Sequence, residues 1–141
     1  MSCISEAKTS RIPTMKTRFL TPVVAVALLA FAACGGERAA SGTAPASVDV
    51  EVRAVDGIAW NASAYTATAT DGSITLFTAN DSTLPHNLQV LDKDGKDVGK
   101  LIDIAKSGSS ATVELTIAPG EYRVVCEIPG HTNMNSSLTI T

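Results

Sequence analysis

With 141 residues and a formal charge of −3 from 11 basic and 14 acidic side chains, the chain has room for one modest domain. It carries no basic excess with which to grip nucleic acid. The apolar fraction of 45% is raised by an N-terminal run and by many alanines.

That run comes first. Lys16 and Arg18 follow Met15, and the chain is then apolar from Phe19 up to Cys34. The uncharged part, Val23 to Ala33, is short for a permanent membrane span. A basic start, an apolar middle and small residues before a cut make a secretory signal peptide of residues 1–34. Its end, F-A-A-C from Phe31 to Cys34, resembles a bacterial lipobox with Phe where Leu is usual. Cys34 is therefore the expected lipidation site and the mature N-terminus. The protein is expected across the cytoplasmic membrane, periplasmic or at the cell surface, held by its N-terminal lipid. The alternative is an ordinary signal peptide cut nearby, leaving Cys34 a free thiol. Residues 1–14 read as an over-extended start, because Met15 and Lys16 begin a complete signal by themselves.

Residues 35–47, rich in Gly, Ala and Ser without apolar periodicity, read as a flexible tether. The folded domain is expected over residues 48–141. Counted from residue 35, the chain has 7 basic and 13 acidic side chains, so the part beyond the signal is acidic.

The domain reads as short β runs separated by turn signals. Val48 to Val55 alternates apolar and polar residues and predicts a half-buried strand. Tyr65 to Thr70 follows, then the Asp71-Gly72 turn signal. Ile74 to Thr78 makes a strand that Asn80 to Pro85 breaks, and His86 to Leu91 makes the next, ended by D-K-D-G-K. Leu101 to Ile104 is a short apolar run of either type. Ala111 to Ile117 alternates cleanly, Tyr122 to Cys126 is strand-like, and Ser137 to Thr141 closes the chain. No long amphipathic helix can be drawn. Seven to eight strands at this spacing predict an all-β antiparallel sandwich or barrel, with Trp60, Tyr65, Phe77 and Tyr122 as large core contributors. The acidic run Asp92, Asp94, Asp97 reads as a solvated turn, since the ligand series of a calcium loop is absent.

Cys3 and Cys34 belong to the targeting region, so Cys126 is the one thiol of the domain and has no partner for an internal disulfide. A free thiol in an oxidising compartment is either an inert buried residue or a ligand. The surrounding run C-E-I-P-G-H-T-N-M, Cys126 to Met134, favours the ligand: thiol, imidazole and thioether fall within nine residues. The only other histidine, His86, stands in P-H-N-L. Cys thiolate, two imidazoles and a weak axial thioether are acceptable to both Cu(I) and Cu(II). The loop can present Cys126, His131 and Met134 toward one point, with Pro129 and Gly130 turning the chain before His131. His86 would join from a separate strand. The expected cofactor is one type 1 copper ion.

Competing chemistries fail on inventory. A dinuclear copper loop needs a second Cys, structural zinc needs four strong nitrogen or sulfur ligands, and no hydrolytic triad is present. No enzyme is expected.

The runs P-H-N-L (Pro85 to Leu88), P-G-E-Y-R-V-V-C (Pro119 to Cys126), P-G-H (Pro129 to His131) and M-N-S-S-L-T-I-T (Met134 to Thr141) resemble the cupredoxin family of plastocyanin, azurin and auracyanin. The resemblance spans essentially residues 48–141, although the spacing C-x4-H-x2-M is not that of one subgroup. It implies a Greek-key β-sandwich with copper at one end, bound by His86, Cys126, His131 and Met134. It also implies that Asn87 hydrogen-bonds the Cys loop. His131 would surface among Leu84, Pro85, Pro129 and Met134, where redox partner proteins dock on a monomer. Three functions stay open on this reading: an electron carrier, a copper-binding or copper-delivery lipoprotein without electron turnover, and an interaction module.

Overall fold

Residues alternating between core and solvent set the first strand. Val50, Val52 and Ala54 face inward, and Glu51, Arg53 and Val55 face out. The computed structural model describes residues 41–141; the signal segment 1–34, Cys34 and the first residues of the tether lie outside the described residues. Nine strands follow one another there: β1 (Val50–Val55), β2 (Ala59–Trp60), β3 (Ala64–Ala67), β4 (Ser73–Asn80), β5 (His86–Leu91), β6 (Asp97–Ile104), β7 (Ser110–Thr116), β8 (Gly120–Val125) and β9 (Asn135–Ile140). They form two sheets, of order β2-β1-β4-β7 and β3-β9-β8-β5-β6. The chain passes from one sheet to the other after β2, β3, β4, β6 and β7, which gives the crossed connections of a Greek-key sandwich.

The fold class is the expected all-β sandwich, with one strand more than the seven to eight expected and with mixed rather than purely antiparallel sheets, since β1 pairs parallel with β4 and β3 with β9. The extra one is β2, whose two residues are too short to show a period. Gly57 (φ 89°) and Ile58 (φ 55°) turn the chain back so that Trp60 pairs with Ala54 and Ala59 with Val55. The apolar run at Leu101 to Ile104 is the end of β6, an edge strand. Only Ile102 and Ile104 of that strand are buried, and charged residues along the rest guard the edge.

Between the sheets lies one apolar cluster. Val52, Leu76 and Leu115 contribute to it from the first sheet, and Leu88, Val124 and Leu138 from the second. Trp60 and Tyr65 belong to it. Phe77, although buried, stands outside the cluster beneath the Arg53 guanidinium, 5.3 Å from the ring centre. Tyr122 is half-buried, and its hydroxyl donates to the carbonyl of Ala118 at 2.9 Å across the turn before β8. Arg53 also pairs with Glu51 and Asp81 and donates to Ser41 and to the Gly42 carbonyl, so the domain's hydrogen bonding reaches back to residue 41.

Leu88 is fully buried, whereas Leu101 is 47% exposed. Leu88→Ala is expected to lower the free energy of unfolding by about 2–5 kcal/mol. Leu101→Ala should change it by less than about 0.5 kcal/mol. Urea denaturation of both variants checks the contrast; similar losses would place the core elsewhere.

Candidate metal centre

Strand pairing brings the four predicted ligands to one end of the sandwich. β5 runs antiparallel to β8 with Gln89 opposite Val125, so the start of β5 lies beside the end of β8. Continued outward, that register sets Asn87 opposite Glu127. The Asn87 side-chain oxygen accepts the Glu127 amide at 2.7 Å, closing the gap where the ladder ends. β8 in turn pairs with β9, Val125 opposite Asn135, and the Cys126 amide donates to the Met134 carbonyl at 3.1 Å. His86, Cys126 and Met134 thus sit at the mouths of three adjacent strands.

His131 is carried by the loop, and the loop consists of two turns. Ile128 to His131 closes with the His131 amide donating to the Ile128 carbonyl at 3.0 Å. Pro129 and Gly130 occupy its middle, with Gly130 at φ 92°, the left-handed region that a type II turn requires of its third residue. His131 to Met134 closes next, through the Met134 amide and the His131 carbonyl at 2.9 Å. His131 is the hinge between two tight turns, which leaves its backbone little freedom.

The result is a buried donor cluster. One ligand atom from each of His86, Cys126 and His131 lies within 4.8 Å of the others. Cys126 Sγ is 3.6 Å from His131 Nδ1, and the two imidazole rings are tilted by 47° with centroids 4.9 Å apart. His86 is fully buried, Cys126 and His131 are each 8% exposed, and Cys126 is a free thiol. Met134 is buried at the base of the same loop, its backbone bonded to both Cys126 and His131. It is therefore absent from the surface patch in which the resemblance would have placed it. Leu84, Pro85 and Pro129 are exposed there.

Whether these residues suit a metal is tested by His86. Its Nε2 lies 2.8 Å from Ser82 Oγ, whereas its Nδ1 is buried and has no hydrogen-bond partner. A basic ring nitrogen left unpaired in the interior costs about 1–3 kcal/mol unless something takes its lone pair. A soft thiolate and two imidazoles suit copper. Asn80 and Ser82, both buried, belong to this surround, although N-D-S-T-L-P reads in sequence as no more than a strand breaker.

Burial first, and then the positive charge His131 can carry, push the His86 imidazole below its ordinary pKa of 6.5. The unfolded chain therefore takes up this proton before the folded one. Stability of the metal-free protein is present above about pH 6.5 and falls as the pH drops toward the lower folded value. In urea titrations from about pH 7 to about pH 5, metal-free wild type should lose more stability than His86→Gln. Equal losses would contradict a neutral, buried His86.

The sequence and fold place the chain among known proteins. Residues 46–141 match the family of copper-binding proteins of the plastocyanin/azurin type. A search of curated proteins finds no match. The structure is similar to an auracyanin from the photosynthetic bacterium Roseiflexus castenholzii in its dithionite-reduced form (TM-score 0.57, 22% identity, covering 69% of this chain and 99% of that one). It is equally similar to auracyanin B (TM-score 0.57, 22% identity, 73% and 94% covered). An azurin from the obligate methylotroph Methylomonas sp. strain J shares the fold at 15% identity (TM-score 0.57, 68% and 99% covered). Matched over its whole folded domain, with a buried His-Cys-His cluster at one end, the chain belongs to the plastocyanin/azurin family of copper-binding proteins.

Proposed function

We propose that this protein is an extracytoplasmic electron carrier with one type 1 copper ion held by His86, Cys126 and His131, and with Met134 as a weak axial ligand. The observation that carries the reading is the convergence of one thiol and two imidazoles, all buried, within 4.8 Å. When bound, copper supplies a one-electron Cu(I)/Cu(II) couple. The chain's part is to hold the donor set still. Strand ends fix Cys126 and His86, two turns fix His131, and Asn87 ties β5 to the loop. Such rigidity suits electron exchange because little has to move when the charge changes.

All three donors are buried, which suits a carrier whose metal stays enclosed by protein, and we read the protein as a carrier rather than an enzyme. Leu84, 43% exposed, with Pro85 and Pro129 also exposed, flanks the two histidines in sequence and forms the apolar contact for a redox partner protein. The acidic excess beyond residue 35 favours a basic partner, with association weakened by salt. Membrane attachment through a lipid on Cys34 is supported by the apolar run that ends there.

Stoichiometric Cu(II) should give the purified protein an intense visible thiolate-to-copper band that a mild reductant bleaches and reoxidation restores. A colourless complex, or a band that survives in Cys126→Ser, would sink the reading. A band that forms but does not cycle would favour copper delivery. Met134→Leu should keep the band and shift the midpoint potential; an unmoved potential removes Met134 from the centre. Cys34→Ser should shift the protein from the membrane fraction to the soluble one, and an unchanged distribution would rule out the lipid.

A further inference from the structure

We infer that Asn80 and Ser82 are positioning residues for the metal centre: through a hydrogen-bond chain of fixed polarity they place the proton of His86 on Nε2 and turn its Nδ1 lone pair toward Cys126 and His131. The inference rests on the reading of His86 as a ligand.

The polarity follows from groups that can act in only one way. Asn80 is the last residue of β4, fully buried, and its side-chain Nδ2 lies 2.8 Å from the Leu84 carbonyl and 2.9 Å from the Ile104 carbonyl. Both oxygens can only accept, so the amide nitrogen must face them. On the other side Asn80 Oδ1 lies 2.9 Å from the Ser82 backbone nitrogen, which can only donate. The amide orientation is thereby forced, and Oδ1 is an acceptor.

Ser82 Oγ lies 2.9 Å from that Oδ1, so its single hydroxyl hydrogen points there. Of the other acceptors in reach, the Leu84 carbonyl is 3.3 Å away and already receives Asn80 Nδ2. Giving the hydrogen to an unprotonated His86 Nε2 instead would set Ser82 Oγ and Asn80 Oδ1 face to face at 2.9 Å with no hydrogen between them, and would bury an Nδ1–H that has no acceptor. With its hydrogen committed, Ser82 Oγ can only accept at its remaining positions. The Leu84 amide donates to it at 3.2 Å, and His86 Nε2 lies 2.8 Å away. Nε2 must therefore carry the imidazole proton. In a neutral ring the other nitrogen, Nδ1, then holds the lone pair, and that atom is the buried one without a partner.

The device also spans both sheets. Asn80 ends a strand of the first sheet, while Ile104 and His86 belong to the second. The loop between is held from outside by Asp81, whose amide donates to Ala54 and whose carboxylate pairs with Arg53. Ser82 occupies Nε2, which leaves Nδ1 as the nitrogen free to ligate, so Ser82 acts on the metal only through His86. Partners of this kind orient ligating imidazoles and set their tautomer.

The decisive experiment uses metal-free protein, whose proton pattern does not depend on copper. Long-range nitrogen–proton correlation spectra should show His86 as the Nε2–H tautomer with a slowly exchanging ring proton. Ser82→Ala should mix the tautomers, speed that exchange and weaken copper binding in a competition titration by about 10–100-fold. Ser82→Thr, which keeps the hydroxyl, should restore all three. An Nδ1–H tautomer in the wild type overturns the inference, and that spectrum decides even if Ser82→Ala fails to fold. Unchanged exchange and copper affinity in a folded Ser82→Ala overturn it as well. A wild type that shows the Nε2–H tautomer but takes up no copper would refute the copper reading alone, so the two fail separately.

Discussion

Two antiparallel registers govern this molecule. Gln89 opposite Val125 and Val125 opposite Asn135 lock β5, β8 and β9 so that their ends on one side of the sandwich carry His86, Cys126 and Met134. Because side chains alternate along a strand, a slip of one residue in either ladder would turn a ligand away from the others. The apolar cluster protects that register: Leu88 on β5, Val124 on β8 and Leu138 on β9 are all fully buried. The same hydrophobic pattern that stabilises the second sheet therefore aims the donor atoms. Packing and function are not separate specifications here.

Burial then gives the donors their character. Burial disfavours the charged form of His86, which favours an available lone pair, and leaves the thiol of Cys126 enclosed by protein. The cost of a buried nitrogen without a partner is borne by the folded state and offset when a ligand uses that lone pair. Rigidity comes from short-range devices stacked around it, namely two turns in the Cys loop, the Asn87 bridge and the Asn80–Ser82 chain.

Much of this was legible in the residues. Clean alternation in β1, β7 and β9 announces half-buried strands, and Cys126, His131 and Met134 are close enough in sequence to suggest one loop. His86 follows by inventory, as the only other imidazole. Less was legible where the signal is geometric. β2 has two residues and owes its place to positive φ at Gly57 and Ile58. Phe77 reads as core in a strand of apolar residues, yet it faces Arg53 on the far side of its sheet. Asn80 and Ser82 are ordinary turn residues by type. Their burial, and with it their hold on His86, exists only once β4 and β5 are brought together from different sheets.

The central claim is that one copper ion takes its strong ligands from His86, Cys126 and His131. X-ray absorption at the copper edge of the fully loaded protein tests it most directly. The expected result is a single short copper–sulfur bond with two imidazole nitrogens, the sulfur vanishing in Cys126→Ser. A shell of nitrogen and oxygen alone, with no sulfur in the wild type, would contradict it.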